Sequence, residues 1–263
     1  MRFIDSHLHT NLIDDGQTER LAMAGMIGAV IPMLHSLSGI FHADGCLNLW
    51  DRFLGFEIKR GETIGYKAFV SLSVPMYGLS DDGVDECLKR MPEYLKRDRV
   101  VAIGEIGLDV GSEKEKRIFR SQVKLAKKFN LPIIAHTPIR LAPQAPAVIR
   151  EVVKILKEEK FDIGRVVLDH AGESTFDYRL KSGATVGLSV CNDKMPPEAA
   201  ANLIFDNPKK RNKIVVNTEV AGGDGYFTVP RVILCLRRLG MTLDEIDQVV
   251  YKNPKEFFNL DID

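Results

Sequence analysis

The sequence contains no apolar run that approaches the length of a membrane span and no closely spaced pair of cysteines. Its four cysteines lie far apart and form no Cys-x-x-Cys pair, which predicts reduced, mostly structural thiols in a reducing compartment. The N-terminal segment also lacks the basic and then apolar pattern of a secretory signal. These absences together predict a soluble, cytoplasmic protein with no membrane association.

The sequence also lacks net charge, because 36 basic residues balance 36 acidic residues. This balance argues against a strongly basic surface that coats nucleic acid, although a local basic patch beside a site remains open. No P-loop, serine elbow or Cys-His pairing is present, so nucleotide hydrolysis and nucleophilic catalysis lack support. No linker or low-complexity stretch divides the chain, which predicts a single domain over residues 1–263.

What recurs along the chain is a short apolar strand, a loop and an amphipathic helix. The strand segments are nearly continuous in apolar and β-branched residues, as is typical of strands that are covered on both faces. They are "MRFID", "GAVIPML", "KAFVSLSV", "VVAIGEIG", "LPIIAHT", "RVVLDHA", "ATVGLSV" and "KIVVNTE". Eight such strands alternating with eight helices predict an α/β fold, a (β/α)8 TIM barrel. The alternative, a doubly wound open sheet, is weakened by the absence of Gly-x-Gly-x-x-Gly after the first strand.

Three helical segments carry further expectations. The first predicted helix, "QTERLAMAGMIG", covers residues 17–28, and the second, "CLNLWDRFLGFEIKRG", covers residues 46–61. We expect Trp50 in the second helix to pack against the core rather than to stack on a nucleic-acid base. The tail "TLDEIDQVVYKNPKEFFNL" predicts one or two closing helices.

Ionisable residues concentrate where the predicted strands end, which is the catalytic face of a barrel of this type. Four of the six histidines lie at such positions, together with two glutamates. These strand-end residues are His7, His9, Glu105, His136, His170 and Glu219. Imidazoles and carboxylates that converge in one mouth favour a metal centre, and a bridging carboxylate would allow that centre to hold two ions.

Each of these residues also has a simple structural interpretation. His136 alone could be a hydrogen-bonded core histidine, Glu105 could cap the following helix, and Asp169 could serve the next turn. Taken together, at five different strands on one face, the structural interpretation requires several coincidences, whereas a metal centre requires one cause. The joint pattern therefore favours the metal centre.

The strand-end motifs resemble those of the TatD-like metal-dependent hydrolases, which include the TatD-related DNases of the amidohydrolase superfamily. The resemblance runs from "FIDSHLHT" through "AIGEIGLD", "LPIIAHT" and "VVLDHAG" to "NPKEFFNL", and "GEIGLD" is its most specific part. The resemblance implies that His7 and His9 bind a divalent ion, that Glu105 bridges two ions, and that His136 and His170 complete the set. It implies two divalent ions per chain, drawn from Zn, Mn, Co, Ni or Mg.

The resemblance further implies a phosphodiester substrate, such as the end of a DNA strand or a small phosphoester. A bound ion would lower the pKa of water toward about 7, and Glu219 would orient that water and accept its proton. Arg140 and Lys194, each just past a strand end, are the candidates for holding a phosphate. No protein partner is evident.

One position departs from the family pattern, because "NTEVAGG" places Glu219 where the family usually has an aspartate. The longer side chain leaves a second function open, hydrolysis of a small amide, lactone or cyclic amide. A third possibility is a non-catalytic barrel that keeps its metal ligands. The superfamily branch with a carboxylated lysine is disfavoured, since "VVAIGEIGLD" contains no lysine.

Overall fold

The computed structural model describes residues 1–34, 40–138, 142–191, 194–219 and 227–262. It contains one sheet of eight parallel strands in sequential order, and each strand pairs with the next along the chain. The strands are β1 (Phe3–Asp5), β2 (Met26–Pro32), β3 (Lys67–Leu72), β4 (Val100–Gly107), β5 (Ile133–His136), β6 (Val166–Leu168), β7 (Thr185–Ser189) and β8 (Ile214–Asn217). Sequential order confirms the predicted barrel, since a doubly wound sheet would permute the strands.

The barrel closes where β8 returns to β1. The Glu219 N–H donates to the His7 carbonyl at 2.9 Å, and the Ser6 hydroxyl donates to the Val216 carbonyl at 3.3 Å. The Asp5 carboxylate lies at this junction and accepts from the Thr218 hydroxyl at 2.5 Å. Burial raises the pKa of Asp5 to about 6, although these hydrogen bonds act to lower it. The junction thus brings the end of β8 beside the histidines that follow β1.

Helices surround the sheet on its outer side. Those in the described residues are α1 (Asp15–Met23), α2 (Ala43–Arg52), α3 (Ile58–Ile64), α4 (Asp81–Tyr94), α5 (Glu113–Phe129), α6 (Ala145–Glu158), α7 (Glu173–Ser182), α8 (Pro197–Phe205), α9 (Thr228–Arg238), α10 (Leu243–Asp247) and α11 (Asn253–Phe257). A π-helical turn at 53–57 joins α2 to α3, and another at 248–252 joins α10 to α11. The tail therefore forms two helices, which agrees with the prediction of one or two closing helices.

The first predicted helix was too long, because α1 ends at Met23 and residues 26–28 belong to β2. Gly25 has a φ of +110°, a left-handed conformation that ends the helix. A Cβ at Gly25 would also collide with the Met1 carbonyl. Apolar residues on both sides of this glycine made the helical pattern continue into the strand.

Two apolar clusters stabilise the barrel. The larger one lies between strands and helices and includes Trp50, which is fully buried and donates from Nε1 to the Ser73 carbonyl at 3.0 Å. This confirms the expectation that Trp50 packs in the core. The smaller one combines residues of seven strands with the C-terminal segment Tyr251, Phe258, Leu260 and Ile262. The cysteines are free, and Cys46 and Cys87 are buried.

Across the described part of the chain, none of the helices combines the length and the apolar character that crossing a bilayer requires.

Candidate metal centre

The first pair of candidate ligands follows β1 directly. His7 and His9 are both buried, and their Nε2 atoms lie 3.0 Å apart. His9 Nδ1 lies 3.2 Å from the Pro32 carbonyl, which can only accept, so His9 carries its proton on Nδ1. Its Nε2 is then a lone pair that faces the Nε2 of His7. Two ring nitrogens that converge in this way suit a shared cation.

Glu105 at the end of β4 faces two sets of ligands, one with each carboxylate oxygen. Its Oε2 lies 3.8 Å from His7 Nε2 and 3.9 Å from His9 Nε2. Its Oε1 lies 2.8 Å from His136 Nδ1 and 3.4 Å from His170 Nε2. In each set the ligand atoms lie within 4.8 Å of one another, as the binding of one ion requires. The carboxylate is therefore placed between two potential ion positions.

The glycines of "GEIG" explain how β4 and β5 approach closely enough for this. A Cβ at Gly107 would collide with the His136 carbonyl, and a Cβ at Gly104 would collide with Ile134. Without side chains at these two positions, Glu105 and His136 lie against each other across neighbouring strands. The motif thus combines a ligand with the close backbone packing that positions it.

Two further lone pairs face each other between the ends of β6 and β8, one on His170 and one on Glu219. His170 Nδ1 donates to the Thr137 carbonyl at 2.8 Å, which leaves Nε2 as a lone pair. This Nε2 lies 3.0 Å from Glu219 Oε2, and neither atom has a hydrogen-bond partner among the described residues. Both residues have left-handed backbone, with φ of 63° and 47°. Such strain, about 1–3 kcal/mol each, is typical of functional sites.

The protonation of the histidines suits a metal centre. Burial, and then the neighbouring His7, lower the pKa of His9 to about 3. Burial, and then the charge of Lys194, hold the pKa of His170 well below its ordinary range. Both imidazoles are therefore neutral near pH 7, the form in which they bind ions. Buried lone pairs facing one another fit a divalent cation, and the mixed nitrogen and oxygen set suits Zn, Mn, Co or Ni.

His136 has a second carboxylate partner that the sequence interpretation missed. Its Nε2 lies 2.7 Å from Asp109 Oδ1, while its Nδ1 faces Glu105. The Tyr77 hydroxyl lies 3.1 Å from Asp109 Oδ2 and 2.6 Å from Glu115 Oε1, so its one proton is shared between two carboxylates. Asp109 is the last residue of the "GEIGLD" motif, so the motif itself contains this second carboxylate.

The two predicted phosphate-binding residues have different outcomes. Lys194 lies at the mouth, where its ammonium pairs with Glu219 Oε1. Arg140 lies outside the described residues, so its role stays a prediction. The structure thus brings together His7, His9, Glu105, His136, His170 and Glu219, with Lys194 beside the last of them. Their individual roles remain predictions.

Asp169 has a long-range contact in addition to any local role in the next turn. It is 1% exposed, and its Oδ2 lies 2.7 Å from His7 Nδ1. Burial alone would raise the pKa of Asp169, but hydrogen bonds from His7 and from Asn217 hold it below its ordinary value. Asp169 and His7 are 162 residues apart, so no local sequence pattern pairs them.

A buried arginine supports the same strand end from α7. Arg179 is fully buried and donates to the Asp169 carbonyl at 2.9 Å and to the Thr137 hydroxyl at 2.8 Å. It also donates to the His170 carbonyl at 3.3 Å. Burial lowers the pKa of its guanidinium to about 9, against the charge of Asp169, which raises it. Arg179 therefore holds the backbone that carries Asp169 and His170.

Comparisons with known proteins agree with this fold and with a metal-dependent hydrolase. The chain matches the model of the TatD related DNase family over residues 4–259. It is 33% identical over 259 residues to an uncharacterized metal-dependent hydrolase of Methanocaldococcus jannaschii, covering 98% of this chain and 100% of that protein. It is 27% identical over 190 residues to an N-acetyltaurine hydrolase of Tetraodon nigroviridis, covering 60% of this chain and 52% of that protein.

The fold has solved counterparts. The crystal structure of a TatD-like protein from Archaeoglobus fulgidus aligns with a TM-score of 0.77 and 22% identity, covering 98% of this chain and 100% of that one. Barrel, ligand cluster and family match together define a metal-dependent hydrolase on a (β/α)8 scaffold. The chain belongs to the TatD-related DNase family.

Proposed function

We propose that this hydrolase is a phosphodiesterase that cleaves nucleotides from the end of a DNA strand with two divalent ions. The observation that carries the proposal is the position of Glu105, whose two oxygens face two different pairs of histidines. Two cations held side by side are well suited to phosphodiester hydrolysis, since they stabilise both the attacking and the leaving oxygen. The family match supports the same substrate class.

The ligands divide into two groups around Glu105. His7 and His9 would hold one ion, and His136 and His170 would hold the other. When bound, such ions polarise the phosphate and lower the pKa of the attacking water toward about 7. The protein contributes the rigid placement of its buried ligands, since each histidine has a fixed partner on its other ring nitrogen.

Glu219 would act on the water. Its Oε2 points at the ligand nitrogen of His170, so the carboxylate lies at hydrogen-bond distance from the second ligand group. A base in this position can orient a water molecule and accept its proton. Its other oxygen is paired with Lys194, which keeps the carboxylate aimed into the site.

Lys194 would also neutralise charge on the substrate. Its side chain is 15% exposed at the mouth, so an incoming phosphate can contact the ammonium without unfolding a loop. The Lys194–Glu219 ion pair would then loosen as the phosphate binds. Arg140, which lies outside the described residues, is the second positive group that the sequence proposes for the phosphate.

A second candidate function is hydrolysis of a small amide. The match to an N-acetyltaurine hydrolase favours it, as does the glutamate at the position where the family usually has an aspartate. A small anionic amide would place its acid group on Lys194 and its carbonyl between the two ligand groups. This candidate uses the same residues and differs only in the bond that is cleaved.

The test is a matched pair of substrate panels at equal metal loading. One panel contains single-stranded DNA labelled at either end, and the other contains N-acyl amino acids and amino sulfonates. We expect metal-dependent release of nucleotides from one end of the DNA. The Glu105→Ala variant, purified in the same way, controls for a contaminating nuclease. Turnover of an amide with no release of nucleotides would replace the first function with the second.

The metal content is tested independently of the substrate. We expect up to two divalent ions per chain, and we expect His7→Ala or His9→Ala to remove most of the binding. Elemental analysis and calorimetry measure both quantities. Wild-type affinity and stoichiometry in either variant would contradict the assignment of these histidines as ligands.

A further inference from the structure

Asp169 connects four strands at the catalytic end of the barrel. Its Oδ1 accepts from three donors, namely Asn217 Nδ2 at 3.0 Å, Ser189 Oγ at 3.1 Å and the His170 N–H at 3.0 Å. Its Oδ2 faces His7 Nδ1 at 2.7 Å and has a longer contact, 3.3 Å, with Asn217 Nδ2. Three donors on one oxygen fix the orientation of the carboxylate, so the second oxygen has one position relative to His7.

The neighbouring strand β7 leaves room for this carboxylate. A Cβ at Gly187 would collide with Asp169 Oδ1, and it would also crowd Val167. Any larger residue at position 187 would therefore displace the carboxylate from His7. The fold thus combines a buried acid with a glycine that admits it.

From this geometry we propose that Asp169 is a positioning residue that holds His7 in the tautomer required for metal binding. A carboxylate only accepts, so the proton of the neutral imidazole lies on Nδ1 and the lone pair lies on Nε2. Nε2 is the atom that faces His9 Nε2 and Glu105. A carboxylate on the far nitrogen also makes an imidazole a stronger ligand. The inference rests on the metal centre and not on the substrate, so failure of DNA cleavage would leave it standing.

The informative variant is Asp169→Asn, which keeps the shape of the side chain and replaces one of its two acceptor oxygens by an NH2 donor. The three donors at the Oδ1 position require an oxygen there, so the amide NH2 would face His7 Nδ1. His7 would then accept on Nδ1 and carry its proton on Nε2. That proton would point at His9 Nε2, 3.0 Å away, and would close the metal-binding side of both rings.

The first readout is the tautomer of His7 in metal-free protein, measured by long-range proton–nitrogen NMR of the imidazole. We expect Nδ1 protonated in the wild type and Nε2 protonated in Asp169→Asn. The second readout is the affinity for Zn²⁺ by calorimetry, which we expect to fall by about 10–100-fold in the variant. Neither readout depends on turnover.

Ser189→Ala is the matched control, because it removes a contact to the same carboxylate on the side away from His7. If Asp169 merely ties strands together, this variant and Asp169→Asn should weaken Zn²⁺ binding alike. We expect Ser189→Ala to keep the tautomer of His7 and a Zn²⁺ affinity near that of the wild type, because Asn217 and the His170 N–H still hold Oδ1 in place. Equal losses in the two variants would overturn the proposal.

Two further results would also overturn it. One is a wild-type His7 with its proton on Nε2, and the other is wild-type Zn²⁺ affinity in a folded Asp169→Asn variant. If Asp169→Asn does not fold, Gly187→Ala takes its place, since it moves the carboxylate without changing any ligand. Weaker Zn²⁺ binding in Gly187→Ala then supports the proposal, and unchanged binding contradicts it.

Discussion

The two ends of the barrel interior use the same strands for opposite purposes. Toward the N-terminal end the inward side chains are apolar, and they pack against the C-terminal segment; they are Ile4, Val30, Phe69, Ala102, Ile134, Val167 and Val215. In β5, His136 lies two residues after Ile134 and therefore on the same side of the strand. The same step leads from Val167 to Asp169 beyond β6 and from Val215 to Asn217 in β8. The inward-facing residues of the same strands thus form an apolar layer at one end of the barrel and a layer of ionisable and polar side chains at the other.

The two layers contribute to stability with opposite sign. Burial of the apolar layer, here called the lower layer, stabilises the fold by roughly 25 cal/mol per Å² of apolar surface. The layer at the catalytic end, here called the upper layer, buries imidazoles and carboxylates. Their burial is unfavourable unless hydrogen bonds or ions compensate for the lost hydration. Asp169 and Arg179 provide hydrogen bonds on the outer side of this layer, and a cation would provide compensation on its inner side.

The largest expected effect is the loss of the bridging carboxylate in the upper layer. If Glu105 joins two ions, Glu105→Gln should abolish hydrolysis and lower occupancy at both positions, because a neutral amide cannot supply the shared charge. Calorimetry and elemental analysis measure occupancy, and a rate assay on the best substrate measures hydrolysis. Full activity in Glu105→Gln would show that the residue is structural.

The next largest effect concerns Glu219. Glu219→Gln should keep the fold and most of the metal but lose turnover by about 10²–10⁴-fold, as is typical when a general base is removed. Glu219→Asp restores the usual residue of the family. It should retain or gain phosphodiesterase activity if the rest of the site suits a phosphodiester. The measurement is kcat for the three proteins at equal metal loading, and wild-type turnover in the Gln variant would remove Glu219 from the mechanism.

A matched pair within β5 separates the two layers directly. Ile134→Ala should lower the free energy of unfolding by about 2–5 kcal/mol while leaving the metal stoichiometry unchanged. His136→Ala should weaken metal binding and change the stability of the metal-free protein much less. Urea unfolding without metal and calorimetry with Zn²⁺ measure the two quantities. If Ile134→Ala folds and loses metal as His136→Ala does, the layers are not separable.

The smallest expected effect is the stabilisation that metal itself gives. Zn²⁺ at 100 times its Kd should raise the free energy of unfolding by about 2.7 kcal/mol for each site occupied only in the folded state. Ile134→Ala should show the same increment from its lower starting value, and Glu105→Gln should show a smaller one. Thermal unfolding with and without a chelator gives the comparison. An equal increment in Glu105→Gln would place the ion elsewhere.

Most of the fold and of the candidate site could be predicted because both arise from local patterns. Apolar β-branched segments between amphipathic helices define the barrel, and the ends of its strands identify His7, Glu105 and His170 without any knowledge of contacts. The boundaries were less predictable. Helix α1 was drawn too long because the signal that ends it is a single glycine, Gly25, within an apolar stretch.

The partners of those ligands could not be predicted in the same way. Asp109 belongs to the "GEIGLD" motif, but its contact with His136 spans 27 residues. The pairing of Lys194 with Glu219 likewise joins β8 to the loop after β7. Such contacts depend on how far each strand extends and on which side chains the loops direct inward, and neither is written in a local spacing.

The sequence by itself therefore determined the barrel and the residues able to hold a cation, because periodicity and residue type act over short distances. Its strand-end motifs carried the resemblance to the family. Only the tertiary structure decided how those residues are oriented. It placed Glu105 between two histidine pairs and set Asp169 behind His7, from a position 162 residues away. The physical reason is that the tautomer and orientation of a histidine depend on the hydrogen-bond partner of its other ring nitrogen. Closure of the barrel brings that partner into place.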